Sequence, residues 1–277
     1  MNATDRFAEF RRLHSPASGI LVLPNAWDAM SARAIEAAGA RAIATTSSGV
    51  SWSLGRPDGE GLTRDEMLGA VGRIVQAVRI PVTADVEGGY GLGTPADAAE
   101  TALRVVEAGG SGLNVEDSPG RGGAVLLTPE EQAERIAGAR RGGGAGLFIN
   151  ARVDVYLRQA GAEEARFDET VRRARAYVAA GADGIFVPGV TDAALIGRLA
   201  GAVGAPLNVM AGPGSPDVAA LRALGVARVS VGPKLALAVM GQVRRAAAEL
   251  LERGSYGALE GAPTFAEVNG MFGRMDG

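Results

Sequence analysis

The chain has 277 residues, a formal net charge of −3 and 47% hydrophobic residues, enough apolar material for a sizeable core. With no cysteine, no apolar stretch in the first twelve residues and no window near a span of about 18 apolar residues, disulfides, thiolate nucleophiles, iron–sulfur clusters, a secretory leader and a membrane span are not expected. The arginines are scattered and the balance is slightly acidic, so no nucleic-acid partner is expected, and the cytoplasm is the expected compartment.

Eight short apolar runs recur along the chain, at 20–23, 42–45, 81–84, 112–115, 147–149, 184–187, 206–209 and 227–231. Helical segments with clear punctuation separate them. Thr63-Arg64-Asp65-Glu66, Thr94-Pro95-Ala96-Asp97 and Thr128-Pro129-Glu130-Glu131 each place a capping hydroxyl three residues before a carboxylate. Ser215-Pro216-Asp217 is a variant of the same signal. Gly39, Gly109, Gly181 and Gly225 stand where helices end before the next strand. Strands alternating with helices imply parallel βαβ units, and eight of them predict a (β/α)8 TIM barrel. An open doubly wound sheet would call for a glycine-rich turn after the first strand, and Pro24-Asn25-Ala26-Trp27-Asp28 is not one. No linker interrupts the pattern, so residues 1–277 read as one barrel domain with a helical and irregular extension from about residue 235.

A barrel of this kind carries its chemistry at the C-terminal ends of its strands. There the sequence delivers Asp85 and Glu87, then Glu116, then Arg152. Asp85 and Glu87, at i and i+2 on an extended backbone, are expected to point the same way. With Glu116 they suggest an oxygen cage for Mg²⁺ or Mn²⁺, since one histidine, His14, and one lysine, Lys234, leave little for zinc, a Ser-His-Asp triad or a Schiff base. The competing reading of these acids is a helix cap or an ion pair. Arg152 could grip a carboxylate with its planar fork or bridge to Glu116 on the neighbouring strand. Ser48 and Gly49 suggest backbone N–H groups that approach an oxyanion, or an ordinary turn. Thr46, Asn208 and the loop carrying Asp58 also follow strands. Glycines at 212, 214 and 232 are either turns or a phosphate site, and the glycine-rich segment 117–127 is a candidate lid.

Taken together, Pro24-Asn25-Ala26-Trp27-Asp28, Ser47-Ser48-Gly49, Pro57-Asp58-Gly59, Asp85-Val86-Glu87-Gly88-Gly89-Tyr90-Gly91, Val115-Glu116-Asp117-Ser118, Asn150-Ala151-Arg152-Val153-Asp154 and Leu224 to Ser230 resemble the isocitrate lyase/phosphoenolpyruvate mutase family. The resemblance implies a TIM barrel whose last helix swaps between subunits of a tetramer, a dimer of dimers. It implies Mg²⁺ (or Mn²⁺) bound directly by Asp85 and mainly through water by Glu87 and Glu116. The substrate, a 2-oxo acid or dicarboxylate, would meet Ser48, Gly49 and Arg152, with Asp58 and Arg152 as catalytic groups; Thr46 and Asn208 are added as substrate contacts from their positions at the strand ends. Family lyases acting on isocitrate or methylisocitrate carry a Lys-Arg-Cys-Gly-His run where this chain reads Ser118-Pro119-Gly120-Arg121-Gly122-Gly123. Thr46 replaces their Tyr, or the Trp of the mutases, and Glu87 replaces an Asp. The implied reaction is therefore C–C cleavage of another small 2-oxo acid or 2-hydroxydicarboxylate, as lyase or hydrolase. P–C chemistry on phosphonopyruvate or phosphoenolpyruvate is the alternative. A barrel that binds a metabolite without turnover and a phosphate-binding isomerase are the readings of another class.

Overall fold

The computed structural model describes residues 3–119 and 125–273. Nine parallel strand segments run β1 (Leu21–Leu23), β2 (Asn25–Ala26), β3 (Ile43–Thr45), β4 (Val82–Asp85), β5 (Gly112–Glu116), β6 (Phe148–Arg152), β7 (Gly184–Val187), β8 (Leu207–Met210) and β9 (Arg228–Ser230). Their order in the sheet is β1-β9-β8-β7-β6-β5-β4-β3-β2. β1 and β2 are two halves of one strand: Pro24 between them has no N–H to donate, and the chain changes neighbour there. β1 pairs with β9 and β2 with β3, so the sheet closes on itself as an eight-stranded (β/α)8 barrel.

The closure is completed by a side chain. Asn25 Nδ2 donates to Thr45 O (2.8 Å), while its Oδ1 accepts from the N–H groups of Val231 and Gly232 (both 2.9 Å). The helices between strands begin as their sequences indicate. Thr63, Thr94 and Thr128 form capping boxes with Glu66, Asp97 and Glu131 at the starts of α4 (Arg64–Ala77), α5 (Pro95–Glu107) and α6 (Pro129–Gly143). In the fourth signal Asp217 is itself the cap, accepting from Ala220 N–H at the start of α9 (Val218–Ala223). Gly39, Gly109, Gly181 and Gly225 all take left-handed φ, between 83° and 109°.

The barrel carries two buried layers. Outward-facing strand residues such as Leu113, Val115, Ile149, Ala151, Val209 and Val229 pack against the surrounding helices in one apolar cluster. Inside, α1 (Ala3–Leu13) plugs the N-terminal end of the barrel, bringing Phe10 and Leu13 against Leu21, Leu23, Ala44 and Phe148. His14 belongs to this plug. Its ring stacks on Phe148 (3.9 Å) and its Nδ1–H donates to Phe10 O (2.8 Å). Burial pulls its pKa down to about 3, so it stays neutral, at the opposite end from the acidic mouth.

Further along the chain, α10 (Lys234–Arg253) buries none of its residues and exposes Leu237, Met240, Val243, Leu250 and Leu251. Among the described residues no helix is long and apolar enough to cross a membrane. Removing the plug's central ring tests its weight: Phe10→Ala should lower the unfolding free energy by about 3–5 kcal/mol in urea titrations. A loss below about 1 kcal/mol would show that the strands close without it.

Candidate active site at the C-terminal mouth of the barrel

Successive strands on the β3–β6 side end in polar residues that face the mouth. Asp85 is the last residue of β4; its N–H donates to Thr45 Oγ1 (2.8 Å) and its Oδ2 accepts from Ser47 N–H (3.4 Å). Ser47 opens the short helix α3 (Ser47–Ser53), with Thr46 as its N-cap. Thr46 Oγ1 and Ser48 Oγ lie 3.1 Å apart, both buried. Gly49 has a packing reason to be glycine: a Cβ there would stand 2.7 Å from Thr46 Cγ2 and 2.8 Å from Trp27 Cβ.

Glu87 departs from the extended pairing expected of it. β4 ends at Asp85, and Glu87 takes a left-handed φ of 51°. Its carboxylate turns toward the loops, accepting from Glu60 N–H (2.5 Å) and from the Tyr90 hydroxyl (3.1 Å). Glu60, also left-handed, accepts in turn from Tyr90 N–H (3.0 Å), so the segment after β3 is tied to the segment after β4. Glu116, the last residue of β5, meets Arg152 Nη1 through Oε2 (2.5 Å) at its register position on β6. Arg152 is also forked on Asp154, Nε to Oδ1 (2.6 Å) and Nη2 to Oδ2 (3.0 Å). Among the described residues, three of its five N–H donors are thereby engaged.

Support for this fork lies behind it. Asp154 accepts from Ser118 Oγ (2.6 Å) and gives its N–H to Asp117 Oδ1 (2.9 Å); Asp117 Oδ2 accepts from Tyr177 (2.7 Å) and Arg173 (3.0 Å). Asp117, Ser118 and Asp154 were visible in the sequence beside Glu116 and Arg152. Arg173 and Tyr177 were not, because helix spacing alone does not show that one face carries polar groups inward.

Asp58 is exposed, and its charge is among those raising the carboxyls of Asp85 and Glu87. Asn208, expected at the substrate, lies below the mouth. It is fully buried inside the barrel, donating to Val209 O, Arg228 O and Ser230 Oγ and accepting from Asn150, so its amide hydrogens are spent internally. Two of the three turn glycines are likewise engaged: Gly212 N–H donates to Ser215 Oγ, and Gly232 N–H to Asn25 Oδ1. These bonds disfavour a phosphate site there. The core of the candidate lid, residues 120–124, lies outside the described residues.

Electrostatically the mouth has too much negative charge for its cations. Burial raises the Asp85 carboxyl against the pull of Arg152. Burial also raises Glu87, to about 7, with Asp58 and Asp85 adding to the rise. Glu116 is pushed up by burial, against Arg152 and with Asp154, Asp85 and Glu87. No three acidic or histidine side chains among the described residues converge into a ready chelate. The oxygen donors at the mouth, carboxylates and hydroxyls without thiol or imidazole, are of the chemistry a hard cation takes.

A family model described as phosphoenolpyruvate phosphomutase matches residues 10–251. The chain belongs to that family. It is an enzyme of the family, whose members include lyases and mutases. An uncharacterised protein of Mycobacterium tuberculosis (strain H37Rv) is 40% identical over 212 residues, 76% of this chain and 77% of its own. The solved structure of a Burkholderia cenocepacia J2315 protein classed as a lyase/mutase superposes with a TM-score of 0.90 at 38% identity, over 99% of this chain and 98% of its own. An oxaloacetate decarboxylase of Ectopseudomonas mendocina is 34% identical over 175 residues, covering 60% of this chain and 56% of that protein.

The raised carboxyls make a pH prediction for the metal-free enzyme. Folded Glu87 holds its proton up to about 7, whereas an unfolded glutamate releases it near 4.5, so the folded state binds more protons in that window. Stability should then fall as pH rises through it. Melting curves in chelator at about pH 5 and about pH 8 check this: the drop should shrink in Glu87→Gln, and an unchanged drop would place its origin elsewhere.

Proposed function

We propose that this enzyme breaks a C–C bond next to the carbonyl or carbinol of a small 2-oxo acid or 2-hydroxydicarboxylate, as a Mg²⁺-dependent lyase or hydrolase acting through an enolate-like intermediate. The observation that carries the reading is the cluster of buried, under-neutralised carboxylates Asp85, Glu87 and Glu116 at the barrel mouth, with Arg152 as the one cation in direct contact with it among the described residues. Asp85 would hold the cation directly, with Glu87 and Glu116 reaching it through water. Bound Mg²⁺ (or Mn²⁺) supplies positive charge that stabilises negative charge developing on oxygen.

The chain's own groups do the rest. The guanidinium of Arg152 binds a substrate carboxylate, and its pairing with Asp154 fixes the plane of the fork. Thr46, Ser48 and the backbone at Gly49 orient the oxygen that gains charge. Asp58, on the loop tied to Glu87 through Glu60, serves as the base or nucleophile. The chain has no cysteine to act as the acid implied for isocitrate and methylisocitrate cleavage, so those substrates are not proposed. The 34% identity to an oxaloacetate decarboxylase supports a small oxo-dicarboxylate as substrate.

We assign the exposed apolar face of α10 to a second copy of this chain, in a swapped-helix pair within a tetramer built from one-domain barrel subunits with helical extensions. Light scattering on eluted protein should give four chains, and Val243→Arg together with Leu250→Arg should reduce that number. A wild-type monomer would remove the assignment.

Calorimetry with oxalate, an enolate mimic, tests the chemistry. Binding should require Mg²⁺ and vanish in Asp85→Ala, and oxaloacetate or a substituted malate should then turn over, with activity falling at least about 100-fold in Arg152→Lys. Turnover of phosphonopyruvate instead would move the reaction to P–C chemistry. Oxalate binding with no product from any 2-oxo acid would leave a binding protein, and undiminished Mg²⁺ affinity in Asp85→Ala would refute the metal assignment.

A further inference from the structure

The bore of the barrel holds a cation that forms no part of the mouth. Arg228, on β9, is 1% exposed and stands in register with Asn208 on β8 and Leu21 on β1. With β1 and β2 counted as one strand, β9 and β5 are the eighth and fourth of eight and face each other across the bore. Arg228 Nη2 nevertheless donates to Asn114 Oδ1 on β5 (3.1 Å), so its side chain crosses the barrel as a strut.

Asn114 Oδ1 also accepts from Asn150 Nδ2 (2.9 Å), which reaches Asn208 Oδ1 (3.1 Å); Asn208 returns to Ser230 and to the carbonyl of Arg228 itself. This tier of amides is the layer on which the mouth stands. Asp85 is paired in register with Asn114, and Glu116 and Arg152 lie two residues beyond Asn114 and Asn150 on the same strands.

Among the described residues no carboxylate comes within ion-pair distance of Arg228, and its Nε and Nη1 have no protein partner. A buried charge without a partner is unfavourable unless something compensates it. The acid whose field reaches it is Asp85. Burial pulls the guanidinium down to about 9, which leaves it charged at neutral pH.

We propose that Arg228 is a positioning residue of the mouth: a fixed internal positive charge that sets the Asn114–Asn150–Asn208 tier and offsets part of the charge of Asp85, favouring an anionic substrate over excess cation. This rests on the Mg²⁺ and oxo-acid reading of the mouth.

The charge and the packing are separated by opposite effects on two ligands. In Arg228→Gln, Mg²⁺ alone should bind at least as tightly as in the wild type, while oxalate at saturating Mg²⁺ should weaken about fivefold or more. Arg228→Lys, which keeps the charge, should stay within about twofold on both. Asn114→Asp is nearly isosteric and cancels the charge without removing the strut, so it should shift both ligands as Arg228→Gln does even where that variant fails to fold. Equal loss of both ligands, or no change in either, overturns the proposal.

A wild type that binds neither ligand refutes the metal reading of the mouth. Arg228 is then judged by melting of the metal-free protein. Asn114→Asp should melt higher if the arginine is a lone buried cation; a lower melting temperature overturns the proposal.

Discussion

Like charges buried together are the constraint around which this barrel is arranged. Asp85, Glu87 and Glu116 occupy one end of the bore with Asp58 near them, and Arg152 alone among the described residues neutralises any of them by contact. Coulomb repulsion at short range in a poorly hydrated site is worth several kcal/mol, about 4 kcal/mol at 4 Å for an effective dielectric of 20. The structure answers it in three ways: the Arg152 fork, raised carboxyl pKa values, and hydrogen bonds from Glu60, Tyr90 and Ser47 to individual oxygens. A divalent cation is the fourth answer we propose.

That arrangement explains the division between the two faces of the strands. On β5, Leu113 and Val115 face the helices while Asn114 and Glu116 face the bore; β6 repeats the pattern with Ile149 and Ala151 outside and Asn150 and Arg152 inside. Apolar packing is thus concentrated outside the barrel and in the plug beneath it. The bore above the plug is polar, and polar groups there hold one another at fixed distances because each has few alternatives.

Much of this was legible beforehand, and the failures have physical causes. Strand and helix alternation, three capping boxes and four helix-ending glycines follow from local chemistry, which the tertiary structure did not override. The split of the first strand at Pro24 was not foreseen, because an apolar run with proline after it reads as a strand that stops, not one that changes partner. Glu87 was expected beside Asp85 because period-two alternation was extended past the strand end; Gly88 and Gly89 signalled that the backbone was already turning. Asn208 was grouped with the residues past the strands although it falls inside the run 206–209, and in the structure it lies within β8, a tier below the mouth. The pairing of Glu116 with Arg152 was anticipated as an alternative, since both follow adjacent strands. Its extension to Asp154, Asp117, Tyr177 and Arg173 depends on how α7 (Arg166–Ala179) packs, which no local pattern carries.

The latch at Asn25 has a consequence for how the chain reaches this form. Its carboxamide joins the N–H of Gly232, 207 residues later, and β1 waits for β9. Contacts so distant in sequence close only after the entropy of a long loop has been overcome, which slows the final step. During synthesis from the N-terminus, β2 to β8 can pair in order, while β1 has no partner and β8 keeps one open edge until residue 230 has emerged. Over that interval the edge is a template for pairing with another chain. The last strand to emerge therefore covers both exposed strand edges at once.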